Sequence, residues 1–507
     1  MEHTVLKYFL EISKIPRGSG DEKAVSDFVA NFARERGADV FQDESYNLVI
    51  KKRATQGRAD KPSVILQAHL DMVCEKNADT AHDFTRDPLD TYIDGDFIKA
   101  RGTTLGADNG IGVAMCMALL DADFDHPPLE ILLTSDEEAG MSGAKNLDTL
   151  RLSGTRMINL DSSDETTFTM GCAAAVTAEV LICEKKQQKK DRSETFQIVV
   201  KGLKGGHSGG DIDLERGNAI RILGFLLNGI SKTSKGTLAE GDVRIADISG
   251  GMKVNAIPRE AVATVVFAGE EREKILVRLE KLRENFIEQF RVSEPELEIS
   301  WDFAGDAPGE ISSGESFSGE SFSIEATQKI ISALLLLPNG VSARSLEIDD
   351  LVNASCNIGV IETTDAGVKI SLMARGATEF YTRQAETQIS ACASAIGAEI
   401  RFTQRSPAWA YNPSSALLKT AGNVYDRIFS TKPDSSELAT TDTCPRAWRA
   451  TAVHGGLECG IFMEKMPGLE IISFGPNMYD YHTPDERLSI SSTLRVWEFL
   501  CELLREL

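Results

Sequence analysis

The sequence predicts an α/β chain, with helices on both faces of a mostly parallel sheet, interrupted by an inserted α+β domain of two ferredoxin-like halves. Three observations carry this. Short, almost wholly apolar runs alternate with helical periodicity over roughly residues 4–183, as strands buried on both faces require. A β-α-β-β-α-β order follows over 195–303, and most of it recurs over 324–405, which is the ferredoxin-like order. Residues suited to metal binding close the apolar runs, where open α/β sheets place their ligands.

Taken in order, helical spacing covers 4–14 and 21–36, where Val25, Phe28, Val29 and Phe32 recur and Gly37 ends the run. NLVIKK, SVILQAHL, LEILLTS and RMINL read as strands, and GIGVAMCMALL at 110–120 as a buried helix beginning just after Asp108. The stretch CEKKQQKKDRSE is polar and basic, a linker or exposed hairpin. Beyond it come TFQIVVKGL, a helix in NAIRILGFLLNGI, the strands DVRIADIS and AVATVVFA, a helix at 271–290 and ELEISWDF. The second pass has a helix at 324–335, SCNIGVIET, GVKISLMAR, a helix at 378–395 and AEIRFTQR. Between the passes, a direct repeat of SGESF marks a low-complexity insertion, expected to be disordered over 305–323. A helix at 415–430, the strand LEIISF and a helix at 491–506 then resume the first pattern. The expected division is therefore 1–184 with 406–507 as one domain, and 185–405 as the insertion.

The 507 residues suffice for two or three domains. Fifty-four basic against 77 acidic residues leave a net charge of −23, which argues against nucleic acid or an anionic membrane surface as partner. The nine cysteines are odd in number and include no CxxC pair, so reduced thiols are expected. No run reaches membrane-spanning length, and the N-terminus lacks the pattern of a signal peptide. A cytoplasmic location is expected.

The metal-ligating residues are few and regularly placed. His69 and Asp71 end one apolar run and leave the same face of a strand. Asp71 is thus suited to accept the second ring N–H of a metal-bound His69. Asp108 opens a helix within GADNG, where flanking glycines permit unusual backbone angles, and a carboxylate there can be shared by two cations. Glu137 and Glu138 end a second run and point in different directions, which suits one for metal and the other for a general base. Asp161 ends a third run, and His482 follows a fourth. Each alone reads as a cap or a turn residue; their recurrence at successive strand ends predicts a two-metal hydrolase.

QAHLDMV, ARGTTLGADNGIG, EEAGM, KGLKGGHSGG, NAIPRE, HGGLECG and HTPDE together closely resemble the cytosolic non-specific, or aminoacyl-histidine, dipeptidases of the di-zinc M20 metallopeptidase family. The resemblance implies a catalytic domain interrupted by a lid, and two zinc ions per chain, for which cobalt or manganese can substitute. It implies His69, Asp108, Glu138, Asp161 and His482 as ligands, with Asp108 bridging, and Glu137 as general acid/base. It implies His207 in the lid as oxyanion donor, Asn255 and Arg375 as holders of the substrate's C-terminal end, and Gly456 lining that end. It further implies small dipeptide substrates, closure of the lid during turnover and a homodimer formed through the lid. An N-acyl-amino-acid deacylase on the same scaffold is the alternative. Two departures stand out: Gly376 follows Arg375 where related sequences usually carry serine, and the SGESF repeat has no family counterpart. His454 and Glu458 take no role from the resemblance.

Overall fold

The computed structural model describes residues 3–188, 193–231, 243–303, 319–429 and 447–507. Helix α1 (Thr4–Ile12) buries Val5, Leu6, Phe9 and Ile12 along one stripe, and α2 (Lys23–Glu35) does the same with Val25, Val29 and Phe32. The hairpin β1 (Asp39–Gln42) and β2 (Leu48–Lys52) follows. Next come β3 (Val64–His69), α3 (Ala107–Asp121), β4 (Leu129–Thr134), β5 (Arg156–Asn159) and β6 (Thr167–Cys172). Every residue of β3 and β4 is buried, as their largely apolar character requires. Helix α3 is apolar all round and buried along nearly its whole length.

In the second unit the elements are β7 (Ala174–Cys183), β8 (Ser193–Lys201), α4 (Ala219–Ser231), β9 (Arg244–Gly250), β10 (Ala261–Ala268), α5 (Arg272–Phe290) and β11 (Glu298–Phe303). They continue with α6 (Ile324–Leu336), β12 (Val352–Thr364), β13 (Gly367–Gly376), α7 (Glu379–Ile396) and β14 (Glu399–Ser406). The sheet order is β11-β8-β10-β9-β12-β13-β7-β14. Its first four strands are one β-α-β-β-α-β unit and its last four a second, joined edge to edge where Ser249 and Gly250 of β9 pair with Glu362 and Ile361 of β12. The second half takes its first strand, β7, from upstream of the entire first half. One apolar core runs through both halves, from Val176 and Ile198 to Leu372 and Ile389.

The chain then returns to the first unit with α8 (Ala416–Phe429), β15 (Arg449–Val453), α9 (Glu458–Lys465), β16 (Glu470–Ser473) and α10 (Ile490–Glu506). That unit's sheet runs β1-β2-β4-β3-β5-β16-β6-β15. The central strands β4, β3, β5 and β16 are parallel. The edges are antiparallel, so the expectation of a mostly parallel sheet holds only for the centre. A tight turn can join antiparallel neighbours, whereas parallel ones need a crossover. From β3 the chain passes to β4 on one side and later to β5 on the other. The carboxyl ends of these strands therefore flank a topological switch point.

The two units are Met1–Gly171 with Trp409–Ala452 and Leu457–Leu507, and Cys172–Ala408 with Val453–Gly456. This corrects the expected seam at 184/185, because β7 pairs along its whole length with β13 and belongs to the second sheet. The expected seam at 405/406 lies at 408/409, and Val453–Gly456, read as part of the first domain, joins the second. The expected disordered insertion at 305–323 falls outside the described residues up to 318. Its last residues are ordered: Phe322 is buried, and Ser323 caps α6 by accepting from the Ala326 amide at 3.1 Å. The eight described cysteines are all free, and Cys444 lies outside the described residues. Among the described residues no helix is long and apolar enough to cross a membrane.

Candidate metal centre

Three carboxyl ends of the first sheet and two loops supply the cluster. His69 closes β3 and is 1% exposed. Its Nε2 lies 3.2 Å from Asp108 Oδ1 and 3.5 Å from Asp161 Oδ1, while Nδ1 lies 3.4 Å from Asp71 Oδ1. His482 Nε2 lies 2.9 Å from Glu138 Oε1 and 3.5 Å from Asp108 Oδ2. Asp108 thus offers one oxygen to each histidine. Three groups have ligand atoms mutually within 4.8 Å: His69, Asp108 and Asp161; Asp108, Glu138 and His482; and His69, Glu137 and Glu138.

Asp71 is fully buried behind His69 and accepts from the Glu137 and Glu138 amides (3.0 and 3.1 Å) and the Ser19 hydroxyl (2.8 Å). Burial opposes its charge, but His69, Ser19 and the Glu137 amide outweigh burial and bring its carboxyl down to about 2. One anion therefore orients the histidine ring and the turn carrying both glutamates.

The start of α3 is held just as tightly. Gly106 adopts φ 64°, and an added Cβ there would meet Arg17 Nη2 at 2.5 Å and Met72 Sδ at 2.7 Å, so glycine fits where a side chain does not. Buried Glu486 accepts from the backbone amides of Leu105, Gly106 and Ala107 at 2.7–2.9 Å and of Asp108 at 3.3 Å. An anion at a helix N-terminus is favourable on both hydrogen-bond and dipole grounds. Arg17, 1% exposed, donates to the carbonyls of Leu70, Asp71 and Gly106, tying the loop after β3 to the loop before α3. Sequence reasoning missed both residues. The only signals were a charge four residues beyond His482 and an arginine inside a glycine-rich turn.

Burial and mutual charge act strongly on the groups of this cluster. Burial pushes the Asp161 carboxyl up to about 6 and Glu137 well above the carboxylate range. Burial would lower the histidines, yet the carboxylates around them raise His69 well above its usual value and His482 to about 10. Two imidazoles among carboxylates, one carboxylate being common to two groups, fit a pair of zinc ions or similar divalent ions.

The second unit gathers the remaining predicted residues by themselves. Gly206 and His207 pair with Ile257 and Ala256, and the Ser208 amide donates to the Asn255 carbonyl at 2.9 Å. The Gly210 amide donates to His207 Nδ1 at 3.1 Å, which places the proton of the neutral ring on Nε2. Arg375 Nη2 stands 3.4 Å from that nitrogen, so two donors converge, an arrangement suited to an anionic oxygen. Arg375 is 6% exposed, and burial pulls its guanidinium down to about 10, still charged at neutral pH. Gly456 belongs to the short segment in this unit that also carries His454, whose Nε2 lies 2.7 Å from Ser355 Oγ. Gly376 is explained locally: a Cβ there would meet Tyr381 Cβ at 2.7 Å and the Thr382 amide at 2.9 Å, leaving no room for serine.

The profile of Peptidase family M20/M25/M40 matches residues 65–506. The cytosol non-specific dipeptidase of Escherichia coli is 35% identical over 500 residues, covering 98% of this chain and 96% of that protein. The crystal structure of aminoacylhistidine dipeptidase from Vibrio alginolyticus, also 35% identical, superposes with a TM-score of 0.80 over 99% of this chain and 96% of the other. Aminopeptidase PepT from Bacillus cereus shares the fold at 13% identity, with a TM-score of 0.53 over 99% and 98% of the two chains.

Proposed function

The chain belongs to peptidase family M20/M25/M40, and from that premise we propose that it is a cytoplasmic, di-zinc dipeptidase that hydrolyses unblocked dipeptides of broad sequence, Xaa-His included. The observation that carries the reading is Asp108, which offers one oxygen to the His69 group and the other to the His482 group. In this reading His69 and Asp161 would hold one ion and Glu138 and His482 the other, with an Asp108 oxygen available to each. Bound there, the two ions would polarise the scissile carbonyl and lower the pKa of a water between them toward neutrality.

The remaining steps fall to the chain's own side chains. Glu137 takes the water's proton and passes it to the leaving amine, and the Asp71 carboxylate steadies the turn on which it sits. His207 donates from Nε2 to the developing oxyanion, where a preorganised donor has most effect. Arg375 and Asn255 take the substrate's C-terminal carboxylate, with Gly456 lining that end through its backbone. An N-acyl-amino-acid deacylase would use the same metal residues but has no need of a free substrate amine. Its separation from the dipeptidase is experimental: kcat/KM for Ala-His should exceed that for N-acetyl-histidine, and a chelator should abolish both activities. A preference for the acetylated compound overturns the substrate assignment, and full activity in metal-free protein overturns the metal mechanism. The lid-mediated homodimer belongs to the same proposal and is checked by the mass of the protein in solution.

A further inference from the structure

Beneath the metal cluster, on its sheet, lies a row of buried polar side chains that the mechanism above does not use. Gln67 of β3 is in register with Asn159 of β5, which is in register with Ser473 of β16. Thr134 of β4 is in register with His69. All four are at most 1% exposed, as is Glu458, the first residue of α9. Gln67 lies within its strand and Thr134, Asn159 and Ser473 end theirs, all in buried surroundings where an unpaired polar group would be costly.

Their hydrogen bonds run in one direction. Glu458 Oε2 accepts from Gln67 Nε2 and from the Thr134 hydroxyl, both at 2.6 Å. Oε2 is the acceptor in both bonds, so Gln67 turns its amide nitrogen toward Glu458 and its Oε1 toward Asn159; burial raises the Glu458 carboxyl to about 8, and Oε1, which makes neither bond, is the oxygen left to carry the proton. Asn159 Nδ2 donates to that Oε1. Asn159 Oδ1 is thereby left to accept from the Ser473 hydroxyl and, at 3.3 Å, from the backbone amide of Asp161. The Ser162 hydroxyl completes the chain by donating to Ser473 Oγ at 2.8 Å. Reversing any amide would set two donors against each other, so the orientation is decided at Glu458 and transmitted across three strands.

We propose that Glu458 is a positioning residue: through Gln67 and Asn159 it fixes the strand ends that carry His69 and Asp161, and hence the metal-binding geometry. The inference rests on the metallopeptidase reading. Glu458→Gln keeps an acceptor oxygen for Gln67 and Thr134, whereas Glu458→Leu removes it and frees the Gln67 amide to rotate. Titration of metal-free protein with Zn2+, in the absence of any peptide, reads the effect. By analogy with other groups that orient metal ligands, Glu458→Leu should weaken uptake of one ion by about 10–100-fold, while Glu458→Gln stays within about threefold of the parent. The melting temperature of the metal-free proteins checks that both variants fold. Should Glu458→Leu fail to fold, Gln67→Met breaks the same chain one step along and should give the same loss.

Parental affinity for both ions in Glu458→Leu, or in Gln67→Met, overturns the proposal. So does an equal loss in Glu458→Gln, because the direction of the bonds would then be irrelevant. A parent protein that shows the expected pattern of metal binding but cleaves no dipeptide overturns the substrate reading and leaves this inference standing. A parent that binds no metal overturns both.

Discussion

The two units concentrate opposite chemistry. In the first, Asp71, Asp108, Glu137, Glu138 and Asp161 converge on two histidines, so that ring nitrogens are driven toward protonation. In the second, Arg375 and His207 stand together, and burial with the charge of Arg375 drives His454 the other way, down to about 3. One environment calls for cations and the other for an anion.

Breaking the acidic half at its base should have the largest effect. Glu137→Gln is expected to lower kcat by about 10²–10⁴-fold, the usual worth of a positioned proton carrier. Zn2+ titration should show both ions still binding; loss of binding together with activity would move Glu137 from base to ligand. Breaking the basic half should cost less and appear elsewhere. Arg375→Ala removes a charged hydrogen-bonding group worth about 1.5–3 kcal/mol, so kcat/KM should fall about 10–150-fold, mostly through KM, with metal uptake unchanged. An effect confined to kcat would remove Arg375 from the carboxylate clamp.

The smallest effect sharpens the contrast through stability. His454 has its pKa lowered from 6.5 to about 3, so the unfolded chain takes up this proton before the folded one does. Its folded form is undisturbed above pH 6.5, and stability is lost as pH falls through the window from 6.5 toward 3. Relative to His454→Gln, the parent should lose up to about 1.4 kcal/mol per pH unit across that window. Denaturant unfolding of both proteins at pH 7 and pH 5 measures this, and parallel behaviour would show that burial and Arg375 together do not hold the ring neutral.

Much of this was legible in the chain itself. Apolar strands such as VILQAH and LEILLT announce a buried sheet, and the ligand types at their ends announce what the sheet holds. The ferredoxin-like order of the insertion was equally plain, because each half repeats the same alternation. What escaped was every feature that depends on partners distant in sequence. Strand β7 reads as well for one sheet as for the other, and only pairing with β13 assigns it. Arg17, Glu486 and Glu458 are ordinary charged residues until their surroundings are known. Gln67 and Asn159 were visible as polar residues of apolar strands, a signal passed over because one such residue says nothing of its partner.

By itself, then, the sequence determined the kinds of element and the candidate ligands, because periodicity and side-chain chemistry are local properties, and its motifs carried the family resemblance. Only the tertiary structure decided that Asp108 faces two histidines, that Glu486 gathers four backbone amides, and that a polar row oriented by Glu458 underlies the site. Those depend on which strands become neighbours, and that choice is made by burying the whole core at once rather than by any single segment.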